Sequence, residues 1–99
     1  MIITGPQCRA ARALVEWSME QVARRAGLDV KVIADFEAKV TDPGTVAKNR
    51  VCEALEEGGA VFIPENGGGV GVRLKYARRD VRAVNKWEGE GGPAGDDDV

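Results

Sequence analysis

The sequence predicts a mostly α-helical domain of four helices followed by a β-hairpin. Two observations carry this reading. Before residue 58, four stretches repeat apolar residues at helical spacing and are separated by capping residues and glycines. Beyond them, two short apolar runs flank a glycine-rich loop, the pattern of an antiparallel hairpin. The length agrees, because 99 residues with 43% hydrophobic and 30% charged side chains suit one small core and leave no room for a second domain.

The first helix is expected over about residues 6–17. Pro6 fits a first helical position, where its missing N–H costs nothing. Ala10, Ala13, Leu14 and Trp17 then recur at helical spacing, with Arg9, Arg12 and Glu16 on the other side. Ser18 followed by Gln21 reads as a capping box, in which hydroxyl and amide satisfy each other's orphan backbone donors. It opens a second helix whose apolar side is Met19, Val22, Ala23 and Ala26, and Gly27 supplies the left-handed residue that ends it. Asp29 caps a third helix over residues 30–38, with Ile33 and Phe36 on one face. Thr45 reads as the N-cap of a fourth helix running to residue 57, with Ala47, Val51, Ala54 and Leu55 in its apolar set. Gly58 and Gly59 close it. The strands are residues 60–63 and 70–74, with residues 64–69 as the turn.

Composition divides the chain into three parts. Residues 1–59 form the helical domain, residues 60–75 the hairpin, and residues 76–99 a polar tail that ends in Asp96, Asp97 and Asp98. In that tail Val81, Val84 and Trp87 recur at i, i+3, i+6 behind Asp80, a possible cap. One reading is a short helix that docks a protein partner, with tryptophan as its energetic centre. The other is a flexible tail, because three large apolar groups cannot offset the ordering of so many residues.

Charge and residue inventory exclude several functions. Fourteen cations against sixteen anions give a net charge of −2, so a global basic field cannot draw in nucleic acid and any such binding needs a local patch. The chain has no histidine, which removes His-based triads and zinc–histidine sites. Cys8 and Cys52 lack any CxxC spacing and read as small apolar helix residues in a reducing cytoplasm. No run approaches the length that crosses a bilayer, and no acid–base pair stands out as enzymatic. Residues 67–71 lack the Lys-Ser/Thr of a phosphate-binding loop, so a hairpin turn accounts for those glycines better. No cofactor is expected.

Three helices separated by a capping box and a glycine turn form the outline of a helix-turn-helix. Residues 17–28, with Ile33 and the Phe36-Glu37 pair, resemble the XRE family of repressor-like bacterial and phage regulators. The matching features are the small cap Ser18, the Val22-Ala23 pair, the turn Gly27, the apolar lock Ile33 and the aromatic-acid pair. Residues 3–12 and 62–74 also resemble a compact alphaproteobacterial branch of that family, so the likeness covers residues 2–75. The chain departs from the family at Met19, where members commonly carry Gln, and in the valines of the third helix.

The resemblance implies sequence-specific binding to double-stranded DNA and transcription regulation by a repressor-like domain, with the third helix in the major groove. Val30, Lys31, Val32 and Asp35 would then read base edges: valines meet thymine methyls, Lys31 reaches guanine and Asp35 accepts from cytosine. Arg9, Arg12, Ser18, Arg24, Arg25, Lys39 and Thr41 are the phosphate candidates, with Thr45 a weaker one. A homodimer is expected through the hairpin, with Val61, Phe62, Ile63, Val70, Val72 and Leu74 as its contacts. The alternative is a protein-interaction module that binds another regulator or the transcription machinery. The acidic balance and the valine-rich third helix favour it, while the turn architecture and local cations favour DNA.

Overall fold

The structure, a computed structural model, describes residues 2–76. Val81, Val84, Trp87 and the rest of the tail therefore lie outside the described residues. The elements are α1 (Gly5–Val15), α2 (Met19–Ala26), α3 (Val30–Glu37), α4 (Thr45–Glu57), β1 (Ala60–Ile63) and β2 (Gly71–Leu74). The chain is thus mostly helical, with one two-stranded antiparallel sheet.

Helix α1 starts earlier and stops sooner than its sequence suggests. Thr4 caps it in a full capping box with Gln7, which places the first helical residue at Gly5 rather than Pro6. At the other end Glu16 turns left-handed with φ 63°, and the Trp17 N–H returns to the Arg12 carbonyl at 3.0 Å, so Trp17 leaves the helix. That exit swings the indole over Gly58, where a Cβ would meet the ring.

The predicted caps of α2 and α3 are present. Ser18 and Gln21 exchange bonds of 3.1 and 2.8 Å, Gly27 ends α2 with φ 71°, and Asp29 accepts the Lys31 N–H at 2.9 Å. Thr45, in contrast, is the first residue of α4 and not its cap. Gly44 occupies the N-cap with φ 95°, a conformation that L side chains rarely adopt. Asp42 stabilises that corner instead, accepting from the Gly44 N–H at 2.9 Å and from Lys48 Nζ at 3.0 Å. The Gly44 bond, then Lys48, holds the Asp42 carboxyl below its ordinary range.

Ile3, Cys8, Val22, Ile33, Val51 and Leu55 form the fully buried centre, drawn from the N-terminal segment and all four helices. The hairpin closes the core from one side. Its register pairs Ala60 with Leu74, Val61 with Arg73, Phe62 with Val72 and Ile63 with Gly71. Alternation along the strands turns Ala60, Phe62, Val72 and Leu74 inward. Ala60 and Phe62 are buried, while Val72 and Leu74 pack against the same core. The buried Gln7 ties α1 to the sheet, since its Nε2 donates to the carbonyls of Gly71 at 2.9 Å and Ile63 at 3.4 Å.

This arrangement divides the residues expected at a dimer contact between the core and the surface. Phe62 is consumed by the protomer's own core, and Val72 and Leu74 lean on it. Val61 and Ile63 are half-buried on the opposite face, and Val70 falls in the loop, because β2 begins at Gly71. The physical reason is size: four short helices bury too little apolar area alone, so the inner face of the hairpin is drawn in. The glycine loop closes on its own side chains, with Glu65 Oε2 accepting from the N–H groups of Gly67 and Gly69 and Asn66 from that of Gly68.

Cys8 and Cys52 are buried and unbridged. Burial first, then the Glu37 carboxylate, lifts the Cys8 thiol far above its ordinary value. Burial and then Glu56 push Cys52 up to about 11. Thiols whose pKa is raised on folding contribute stability that is complete below the unfolded value of 9.0 and is lost as pH rises through the folded values. The melting temperature should therefore hold near neutral pH and fall above pH 9.0. A Cys8→Ala/Cys52→Ala variant should lose less over that alkaline window. A thermal scan against pH that gives both proteins the same slope there would contradict this coupling.

Candidate nucleic-acid interface

Helix α3 divides its residues sharply. Ile33, Phe36 and Glu37 are buried, so a period of 3.6 residues aims Lys31 and Asp35 directly away from the core and leaves Val30 and Val32 on the flanks. Val30 is exposed, Lys31 is exposed, and Val32 and Asp35 are half-buried. Three residues, 27–29, connect α2 to α3, and the Gly27 conformation and the Asp29 cap fix the angle of entry.

The two charged candidates for base readout bind each other. Lys31 Nζ lies 2.9 Å from Asp35 Oδ2, one helical turn apart. A pair with Lys on the N-terminal side is the weaker orientation on a helix, and an exposed pair contributes about 0–1 kcal/mol. Either side chain can exchange its partner for a base edge at little cost.

The phosphate candidates separate into three groups. Arg12 is corrected: its Nε and Nη2 clasp Glu37 at 2.6 and 2.8 Å, and its Nη1 donates to the Trp17 carbonyl at 3.2 Å. Its guanidinium is committed to the fold, since only 19% of the side chain and 3% of that of Glu37 are exposed. The Glu37 hydrogen bond raises the Arg12 pKa further. Arg9 is exposed, yet its Nη2 donates to the Glu37 carbonyl at 3.1 Å, and the Ser18 oxygen accepts from the Gln21 N–H in its cap. Arg24, Arg25, Lys39 and Thr41 are exposed. Arg25 stacks over the Trp17 indole at 4.7 Å from the ring centroid.

Sequence reading missed Arg50 on α4. Its Nη1 reaches to 3.9 Å from the point where a side chain on Gly27 would begin. Packing of α2 against α4 brings it there. No local pattern signals that approach across 23 positions of sequence. Arg24 and Arg25 occupy the last turn of the same helix α2. Among the described residues, Arg24 and Arg50 have no acidic partner.

No family model matches the chain, and no curated protein matches it significantly. Among the described residues no group of three His, Cys, Asp or Glu side chains is placed to hold a metal ion, and no helix is long and apolar enough to cross a membrane.

Proposed function

We propose that the chain is a sequence-specific DNA-binding transcription regulator in which α2, the Gly27 turn and α3 act as a repressor-like helix-turn-helix. The carrying observation is the placement of Lys31 and Asp35, which project from α3 opposite its buried face immediately after a turn fixed at both ends by caps. Such a helix end enters a major groove, while surrounding cations hold phosphates. Arg24, Arg25 and Arg50 supply those cations, with Lys39 and Thr41 beyond α3. Two copies reading two half-sites complete the proposal, with the outward hairpin positions Val61 and Ile63 and the exposed Val70 available for their contact.

A second reading is a protein-interaction module. It is favoured by the Lys31–Asp35 pair, which leaves the α3 face nearly neutral, and by the exposure of Val30, Val40 and Val46 at 37%, 69% and 68%.

A mobility-shift assay on DNA flanking the protein's own gene, at low and high salt, separates the two. Lys31→Ala and Asp35→Ala should change which base pairs are preferred, each by about 1–3 kcal/mol. Arg24→Ala should weaken specific and random DNA equally and lower the salt slope by about one. If both α3 variants keep the parental preference, this helix is not the reader, and absence of binding by the parent at low salt favours the protein partner.

A further inference from the structure

We propose that Asn66 is a site of self-modification: its side-chain amide closes on the Gly67 nitrogen and is converted, through a cyclic imide, to an aspartyl or isoaspartyl residue. The loop between β1 and β2 supplies both groups that activate this reaction.

Three observations carry it. Asn66 precedes Gly67, so the side-chain amide carbon and the next backbone nitrogen are close enough along the chain to close a five-membered ring. Gly67 has no side chain to cover that nitrogen, and residues 64–70 are exposed. The Gly67 N–H donates to Glu65 Oε2 at 3.0 Å, within the reach of a general base. The same oxygen accepts from the Gly69 N–H at 3.1 Å, which ties the carboxylate to the loop. Finally, the Gly68 N–H donates to Asn66 Oδ1 at 3.1 Å, so a donor already faces the oxygen on which negative charge develops when the amide carbon is attacked. Nucleophile and electrophile are each bonded to the group that activates them.

The steps balance without oxidant, reductant or cofactor. Glu65 takes the Gly67 proton as the nitrogen attacks Asn66 Cγ. The N–Cγ bond forms, the Cγ–Nδ2 bond breaks, and ammonia leaves with that proton. Water then opens the imide. Attack at Cγ breaks the new bond and gives aspartate, whereas attack at the Asn66 backbone carbonyl carbon breaks the original peptide bond and gives isoaspartate. The isoaspartyl chain runs through Cβ and Cγ and is longer by one methylene. Either product adds a negative charge at the turn of a chain whose net charge is −2. Asn49 is the internal control, because it lies inside α4 before Arg50, whose backbone nitrogen is held in the helix.

The test incubates the full chain at physiological temperature in isotopically labelled water and follows residue 66 by peptide mass spectrometry. A synthetic peptide of residues 60–74, too short to hold a hairpin by itself, is treated in parallel. Asn66 in the folded chain should convert several-fold faster than in the peptide, release ammonia and take up one solvent oxygen, while Asn49 stays intact. Glu65→Gln keeps an acceptor oxygen but removes the base, and should slow the folded chain several-fold without moving its melting temperature. If Asn66 survives in the folded chain, or converts no faster there than in the peptide, the loop shields the amide and the proposal is overturned. Equal rates for parent and Glu65→Gln overturn it as well, as does a slowing by Glu65→Gln that is the same in the peptide, because the folded loop then adds nothing to the chemistry of an Asn-Gly pair.

Discussion

Replacing Arg12 by Met should cost about 3–5 kcal/mol, because it strands the Glu37 carboxylate in the interior without its counter-charge. Glu37 is 2% exposed and receives both the fork of Arg12 and the Cys8 thiol, whose Sγ donates to Oε2 at 3.3 Å. Loss of the fork leaves only that weak donor for a buried anion. For a domain of this size the melting temperature should drop by about 12 °C or more. The companion variant Arg12→Met/Glu37→Gln removes the stranded charge and should recover much of the loss, since a neutral amide is cheaper to bury than a carboxylate. Thermal unfolding of parent, single and double variants checks this. A single variant that melts within a few degrees of the parent would show that the pair is dispensable, and a double variant no better than the single would show that lost packing dominates.

Gly5→Ala should be nearly as damaging, for a steric reason. The added methyl would collide with the carbonyl of Phe36, and its next neighbours are the Phe36 carbonyl carbon and Glu37 Cα, at 3.2 and 3.3 Å. These are backbone atoms that no rotamer change can move aside. Helices α1 and α3 must separate, and the strain should cost about 1–3 kcal/mol, if not more. The Arg12–Glu37 fork spans the same two helices, so a shift there loosens it as well. Gly68→Ala is the control. A Cβ there would meet only the Asn66 side chain at 3.5 Å, and the residue has no left-handed φ. Its melting temperature should match or slightly exceed the parent's, because alanine restricts the unfolded chain. Equal melting of the Gly5 and Gly68 variants would mean that α1 and α3 have slack at this contact.

The proposed interface ties these stability effects to function. Glu37 is the last residue of α3 and accepts from α1 through its side chain and its carbonyl. The outward angle of Lys31 and Asp35 is therefore set by contacts on the far side of the same helix. Variants at Arg12 or Gly5 that still fold should show altered DNA preference even though neither residue faces the groove.

The sequence by itself determined every helix, the hairpin and the caps at Ser18, Gly27 and Asp29, because those features follow from interactions within a few residues along the chain. A capping hydroxyl, a left-handed glycine and an apolar repeat act locally and leave their mark in spacing, but in α1 the repeat pointed to the wrong face: Ala10 and Ala13 are exposed, and Cys8, Ala11 and Val15 are buried instead. Where the local signal was ambiguous the boundary moved: Thr45 satisfies the composition of a cap, but Asp42 and Gly44 had already shaped the corner. Tertiary structure alone decided which charges are available. Arg12 and Arg24 look alike in sequence, yet packing of α1 against α3 encloses one with Glu37 and leaves the other bare at the end of α2. Packing of α2 against α4 likewise carried Arg50 to the Gly27 turn, and closure of the hairpin over the helices took Phe62 into the core. Each of these depends on which surfaces meet across long stretches of chain, and burial and charge pairing are properties of that meeting rather than of any local pattern.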